Sequence, residues 1–315
     1  MNTLHENLMD GKRTIEGGRL SFRLFFNKLL ERSINFYLLA CVSVTVLVSS
    51  TVIFILGKDC LEFFSQISFF DFLFGTKWEP LIEPRNFGVL PLITGTFLVV
   101  FGSILIALPI GLFVAVFLSE FSSKRFRSFI KPILEILAGI PTVVYGLFAL
   151  TFITPKLKLI FPEIEVFNAL SAAIVVGVMI LPMITSLCDD AFKALPNSLK
   201  QGAYALGGRP HEVVIGVIIP AASQRIGAAI ILAISRAVGE TMAVTLAAGA
   251  NPNFTLNPLK SVQTMTSYIV QVSMGDIPAH GVEYLTCFAV AGLLFLITWL
   301  MNMIGAYFIF AKGKN

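Results

Sequence analysis

Charged residues are scarce in this chain. Only 13% of its 315 residues are Asp, Glu, Lys or Arg, whereas an average soluble domain contains about 25%. Hydrophobic residues make up 56% of the sequence and include 29 phenylalanines. A soluble core of this size does not accommodate so many apolar side chains. The composition therefore argues against a soluble enzyme and predicts an all-α polytopic membrane protein.

Residues that build disulfides and metal sites are also few. The four cysteines and three histidines are scattered without paired spacing, so we predict neither a disulfide framework nor a metal site. The net charge of +4 is modest and does not indicate nucleic-acid binding. The nucleotide-binding pattern Gly-x-x-x-x-Gly-Lys-Ser/Thr does not occur. We therefore expect no catalytic residue, no cofactor and no nucleotide hydrolysis by this chain itself.

Six apolar runs are long enough to cross a bilayer of about 30 Å at 1.5 Å per residue. They lie near residues 34–56, 89–119, 132–154, 168–188, 218–249 and 284–310. The first run is longer than the apolar core of a signal peptide, so it is predicted to be an uncleaved span. The expected organisation is an N-terminal segment 1–33, a membrane domain 34–311 and a tail 312–315.

Basic residues predict the orientation of these spans. Most of the 23 lysines and arginines lie in the segments 1–33, 120–131, 189–217 and 311–315, and few lie in the alternate loops. Loops rich in Lys and Arg stay on the cytoplasmic side of a membrane. We therefore expect a multi-pass inner-membrane protein with both termini in the cytoplasm.

The first outer segment, residues 57–88, is rich in aromatic side chains. Aromatic rings favour the headgroup level of a bilayer, so the segment is predicted to lie along the outer interface. Contact with an external partner is the alternative.

The cytoplasmic loop 189–220 contains a patterned helix. Pro196 can open a helix, and Gly207 with Gly208 can close it. Between them, Leu199, Ala203 and Leu206 are spaced at i, i+4 and i+7 and form an apolar stripe along the helix. Such a helix either lies flat against the bilayer or inserts into a groove of a cytoplasmic partner.

Two charged residues interrupt the fifth apolar run. Arg236 and Glu240 are four residues apart, so on one helix they share a face and can pair. Arg236 lies roughly 24 Å along the helix from Pro220. A charge at the bilayer centre costs about 2.5–3.5 kcal/mol on insertion scales, which is why such residues usually serve a function.

Two interpretations of this pair remain open. In the structural one, an ion pair locks neighbouring helices together. In the functional one, Arg236 presents a planar fork of donors to an oxyanion, while Glu240 holds Arg236 in place or accepts a proton-bearing substrate oxygen. Small residues flank the pair and predict close packing against another subunit. They are Ala229, Ala233, Ala237, Gly239, Ala243 and Ala247.

The loop and the charged run both resemble a known family. ATP-driven importer permeases carry the signature Glu-Ala-Ala, three residues, Gly, nine residues, Ile-x-Leu-Pro. The same spacing holds here for Gln201, Gly202, Ala203, Gly207, Val217, Ile219 and Pro220. The runs SRAVGETMAV (235–244), FGVLPLITGT (87–96) and AGIPTVVYG (138–146) resemble the PstC family of phosphate importer permeases. The resemblance covers nearly all of 75–305.

The resemblance implies a type I ABC importer permease fold and a role in phosphate transport. It implies a complex of this chain, one companion permease and two ATPase subunits, with ATP bound by the ATPases. An extracytoplasmic phosphate-binding protein would deliver phosphate. Arg236 and Glu240 would be substrate-pathway residues, and the coupling residues would be Leu199, Gln201, Gly202, Ala203, Leu206, Gly207 and Pro220.

Three other functions remain as alternatives. A permease for another oxyanion, such as sulfate or molybdate, belongs to the same class. An ion-coupled secondary carrier would use Arg236 and Glu240 as a relay but needs no coupling loop. A non-transporting scaffold, or a subunit that only signals phosphate status, would give Arg236 and Glu240 no function.

Overall fold

The computed structural model describes the backbone of residues 2–275 and 281–312, and the side chains of 30–275 and 281–307. The chain divides between Lys58 and Asp59 into two compact units, and each is described separately.

The first unit consists of a single helix. Helix α1 (Asn2–Gln66) begins in this unit. It is unbroken at residues 33 and 34, where the sequence predicts the boundary between the N-terminal segment and the membrane domain. No proline precedes Pro80, so nothing removes a backbone donor from this helix. Its apolar side chains between Leu30 and Ile55 are exposed, as expected for a helix that meets lipid or another subunit.

The second unit contains a small cap, called the outer cap because the sequence predicts that it lies on the outer side of the membrane. Helix α2 (Phe69–Phe74) is followed by β1 (Trp78–Glu79), which pairs antiparallel with β2 (Asn86–Phe87). The Trp78 ring packs edge-on against Tyr268, with ring centroids 4.9 Å apart. Burial raises the pKa of the Tyr268 hydroxyl above its ordinary range. The buried rings of the aromatic segment, Phe63, Phe72 and Trp78, thus share a core with Tyr268 and other residues distant in sequence. Only its exposed rings, such as Phe70 and Phe74, are available to the interface predicted from sequence.

Most of the remainder of the second unit is helical. The π-helical turn at Phe117–Phe121 ends one helix, whereas those at Ala149–Ile153 and Val214–Ile218 each join two consecutive helices. The helices are α3 (Leu90–Val116), α4 (Lys124–Gly139), α5 (Thr142–Phe148), α6 (Thr154–Ile160), α7 (Ala169–Lys193), α8 (Asn197–Ala205), α9 (Pro210–Val213), α10 (Ile219–Val238), α11 (Met242–Ala248), α12 (Met265–Met274) and α13 (Val282–Lys312).

The number of predicted spans is confirmed. Six helical stretches of the described chain are long and apolar enough to cross a membrane. They are Leu30–Gln66, Leu90–Phe121, Thr142–Ile160, Ala169–Lys193, Pro210–Val238 and Val282–Tyr307. The structure therefore has the expected all-α polytopic architecture.

Three predicted spans have wrong boundaries. The first ends at Gln66 and not at residue 56. The third starts at Thr142 and not at residue 132, because Ile140 and Pro141 end α4 in extended backbone. The fifth starts at Pro210, where α9 continues through a π turn into α10, and it ends at Val238, because α10 stops before Glu240.

Helix α7 lies at the centre of the second unit. In its apolar stretch 61% of the residues are buried inside the chain, against 17–28% in the other spans of this unit. Close contact with α3 is possible because Gly111 leaves room for the Ile184 side chain. Met179 and Met183 of α7 line the cavity described below.

Candidate functional site

The two intramembrane charges lie at a break between helices. Helix α10 ends at Val238, and α11 does not begin until Met242. The Gly239 N–H donates to the Ser235 carbonyl at 3.2 Å, which closes the end of α10. The sequence predicts one continuous span over residues 218–249. In the structure the chain turns between Gly239 and Thr241 instead.

Glu240 is held from two sides. One carboxylate oxygen accepts a hydrogen bond from the Ala243 N–H at 3.2 Å, so Glu240 satisfies a free donor at the start of α11. Its backbone carbonyl accepts from the Thr266 hydroxyl at 2.7 Å. The residue is only 7% exposed. Both hydrogen bonds fix the break in place.

Arg236 faces an open cavity of about 620 Å³. The cavity is lined by Arg236, Ser235, Glu240, Ala138, Met179 and Met183, among others. The Arg236 side chain is exposed to this space. The site therefore combines a guanidinium with two methionines and a largely buried carboxylate.

The predicted ion pair between Arg236 and Glu240 is wrong. The two residues line the same cavity, yet among the described side chains no carboxylate lies within 4.0 Å of the Arg236 guanidinium. The cause is the helix end at Val238, which removes the i, i+4 relation. Arg236 thus keeps its donors available to a ligand.

The patterned loop folds as a short exposed helix, as predicted. Pro196 precedes the first residue of α8, and Gly207 follows its end with φ +83°. This left-handed conformation favours glycine. The Gly207 N–H donates to the Tyr204 carbonyl at 2.9 Å and the Gly208 N–H to the Ala203 carbonyl at 3.3 Å.

The predicted apolar stripe does not form one outward face. Ala203 is half-buried against the core of the chain itself, whereas Leu206 lies beyond the helix end and is 91% exposed. Leu199 is exposed on α8, as are Gln201 and Gly202. Pro220, the last residue of the signature, lies in the first turn of α10 and is exposed.

Sequence reasoning missed an ion pair that anchors α8. The Lys200 ammonium contacts the Glu120 carboxylate at 2.6 Å, and the two side chains are 18% and 9% exposed. Ser119 donates to the same carboxylate at 2.8 Å. Glu120 lies in the π turn after α3, so this pair joins the loop helix to a membrane-spanning helix. Eighty residues separate the partners, and no local pattern predicts such a contact.

Sequence reasoning also missed a charge cluster at the end of α7. Asp189 is 1% exposed and is contacted by three cations. Arg127 lies 2.5 Å from one carboxylate oxygen, Lys131 lies 3.4 Å from the other, and Lys193 contacts the latter as well. The acidic Asp189-Asp190 pair at the end of an apolar run, with Lys193 four residues later, is the signal that could have found it.

The sequence of this chain is similar to those of known membrane transport proteins. Residues 107–310 match the family described as binding-protein-dependent transport system inner membrane component. This chain belongs to that family. The probable ABC transporter permease protein YqgH of Bacillus subtilis is 33% identical over 270 residues, covering 85% of this chain and 87% of that protein.

Two further similarities agree. The phosphate transport system permease protein PstC of Mesorhizobium japonicum is 34% identical over 261 residues, covering 76% of this chain and 77% of that protein. A bacterial ABC transporter involved in the import of the acidic polysaccharide alginate superimposes with a TM-score of 0.57 at 14% identity. This superposition covers 84% of this chain and 94% of that chain. The predicted type I ABC importer permease fold is confirmed, and the chain is a multi-pass membrane transport subunit.

Proposed function

We propose that this chain is the permease subunit of an ATP-driven phosphate importer and forms half of its translocation pathway. The observation that carries the proposal is the Arg236 guanidinium, which lines a membrane cavity with no carboxylate within 4.0 Å among the described residues. A guanidinium binds phosphate oxygens through two parallel hydrogen bonds. The PstC relatives are called phosphate transport permeases, which supports phosphate over other oxyanions.

Glu240 complements this role. Glu240 lines the same cavity, and its carboxylate is fixed by the Ala243 N–H. Phosphate at neutral pH carries a proton on at least one oxygen, and a fixed carboxylate accepts a hydrogen bond from such an O–H. Together the two residues would favour a protonated oxyanion over a fully deprotonated one.

The partners in this proposal supply the energy and the substrate. A companion permease would complete the pathway, and two ATPase subunits would bind and hydrolyse the ATP, since this chain lacks a nucleotide-binding pattern. Helix α8 would contact the ATPases through its exposed residues Leu199, Gln201 and Gly202. Both termini would then lie in the cytoplasm, and a phosphate-binding protein would dock on the outer side.

Uptake of labelled phosphate tests the proposal. The complete complex is expressed in cells that lack other phosphate importers, and initial uptake is measured with unlabelled phosphate, sulfate or molybdate as competitor. We expect ATPase-dependent uptake that only phosphate suppresses. Suppression by sulfate or molybdate would assign another oxyanion, and uptake that persists without the ATPases would indicate a secondary carrier.

Arg236→Gln supplies the matched variant. Since Arg236 has no carboxylate partner within 4.0 Å among the described residues, its removal leaves no buried charge unpaired. The complex should assemble with wild-type ATPase binding and lose phosphate uptake by about a hundredfold, because two charge-assisted hydrogen bonds of about 1.5 kcal/mol each are lost. Wild-type uptake by Arg236→Gln would exclude Arg236 from the pathway.

A further inference from the structure

A segment from outside the fifth span holds the break between α10 and α11. Residues 263–266 lead into α12 and belong to the loop 250–283, which the sequence predicts on the outer side. The Thr266 hydroxyl donates to the Glu240 carbonyl at 2.7 Å, and Thr266 is only 5% exposed. A residue of the outer loop thus reaches the cavity residue to which the proposed function assigns a substrate contact.

The backbone of Glu240 depends on this contact. Its N–H donates to the Ala237 carbonyl at 3.3 Å, whereas no backbone N–H of the described chain donates to its carbonyl. The Thr266 hydroxyl supplies the missing donor. A buried carbonyl that loses its donor costs free energy, so the chain around it turns towards water if water is near. Glu240 lines the cavity, and water there is the nearest replacement.

Helix α3 fixes the segment that carries Thr266. The Thr96 hydroxyl accepts a hydrogen bond from the Met265 N–H at 3.0 Å. One residue earlier on α3, Gly95 lets the Gln263 carbonyl approach closely, since a Cβ at Gly95 would lie 2.4 Å from that oxygen. Both contacts lie within three residues of Thr266 and determine where its hydroxyl points.

We infer that Thr266 is a positioning residue of the oxyanion site and acts through Glu240. The inference rests on the proposed function. The Thr266 hydroxyl fixes the peptide that follows Glu240, and the Ala243 N–H fixes the carboxylate. The acceptor for a protonated phosphate oxygen therefore keeps one place in the cavity. Without the hydroxyl the peptide rotates towards the cavity, and the carboxylate moves with it.

Thr266→Val tests this inference, because valine is close to threonine in shape and lacks the hydroxyl. Initial uptake of labelled phosphate is measured against external phosphate in cells that lack other phosphate importers, and it is divided by the amount of assembled complex. We expect the maximal rate per complex to fall about fivefold, equivalent to roughly 1 kcal/mol. The half-saturating phosphate concentration should not change. Thr266→Ser keeps the hydroxyl and should retain the wild-type rate.

A matched control removes a hydroxyl of the same kind elsewhere. Thr185 is fully buried, and its hydroxyl donates to the Gly111 carbonyl of another helix at 3.4 Å. Thr185→Val should leave the maximal rate per complex unchanged. An equal fall in Thr185→Val and Thr266→Val would show that the loss of any buried hydroxyl has this effect, and it would overturn the inference.

A pair of glycine variants tests the same contact from α3. Gly95→Ala places a Cβ against the Gln263 carbonyl and should lower the maximal rate as Thr266→Val does. Gly102→Ala lies two turns later on the same helix, where the nearest contact of a Cβ is the Ala173 side chain at 2.8 Å, and should not lower it. This pair decides the question if Thr266→Val does not assemble, and equal rates in the two glycine variants would then overturn the inference.

The other outcomes are also decisive. Helix α12 packs in the core of the outer cap through Tyr268 and Val272. A raised half-saturating concentration with an unchanged maximal rate would place the effect of Thr266→Val in that cap and overturn the inference. Less assembled complex with a wild-type rate per complex would show a purely structural role and do the same. A wild-type complex that imports no phosphate would instead refute the proposed function itself.

Discussion

At Arg236 the proposed function predicts that the shape of the side chain matters as well as its charge. Arg236→Lys keeps a cation but loses the planar fork that binds two oxygens at once. We expect phosphate uptake to fall about tenfold, because one charge-assisted hydrogen bond is lost. Arg225→Lys is the matched control, since Arg225 is exposed on the same helix outside the cavity. Equal uptake by both variants would show that a charge alone suffices.

Glu240 combines a cavity position with a local structural task. Glu240→Gln keeps an oxygen for the Ala243 N–H, so the start of α11 should remain intact. Glu240→Ala removes that oxygen and should destabilise the complex by about 1 kcal/mol, as loss of a helix N-cap does. Thermal unfolding of the purified complex measures the difference. A melting temperature as low for Glu240→Gln as for Glu240→Ala would contradict the capping role.

At the scale of elements, the Lys200–Glu120 pair joins α8 to the end of α3. Lys200→Glu reverses one charge and places two carboxylates together in a largely buried site. We expect the ratio of phosphate imported to ATP hydrolysed to fall several-fold. Breaking a buried ion pair costs about 3 kcal/mol. The exchange Lys200→Glu with Glu120→Lys should restore most of the ratio. Failure of the exchange to improve on either single variant would contradict a mechanical link.

Helix α8 itself offers a cleaner test of ATPase contact than the predicted apolar stripe. Ala203 packs inward, so Ala203→Asp would disturb the fold of this chain. Gly202 is exposed, and a Cβ there meets no atom within 4 Å. Gly202→Asp should therefore leave the fold intact and release the ATPase, whereas Gly202→Ala should be tolerated. Co-purification of the ATPase with each variant measures this, and normal retention in Gly202→Asp would exclude the exposed face.

At the scale of the whole molecule, the sequence predicts what depends on local composition. Apolar runs identify six spans, and Pro196 with Gly207 identifies α8, because both signals are carried by neighbouring residues. The break at Glu240 was not predicted, since its cause includes the hydrogen bond from Thr266, a residue outside the run. The cluster around Asp189 was missed for the same reason, because Arg127 and Lys131 reach it from another helix.

The orientation of the chain is testable by labelling. We expect a cysteine at Leu206, which is 91% exposed after α8, to react with a membrane-impermeant maleimide only from the cytoplasmic side. A cysteine at Ile82, which is 65% exposed in the outer cap, should react only from outside. The unmodified chain measures the contribution of its own four cysteines. The reverse pattern would invert the proposed topology.

The π-helical turn at Val214–Ile218 has a consequence for the angular phase of the fifth span. A π turn contains one residue more than an α-helical turn, and each residue of an α-helix rotates the chain by about 100°. Deletion of the exposed Gly216 would therefore convert the turn to α-helix and leave the direction of Arg236 around the helix axis nearly unchanged, because the wider π turn already absorbs the extra residue. Insertion of a residue into the α-helical part of the span, after Pro220, would instead rotate Arg236 by about 100° and turn the guanidinium away from its cavity.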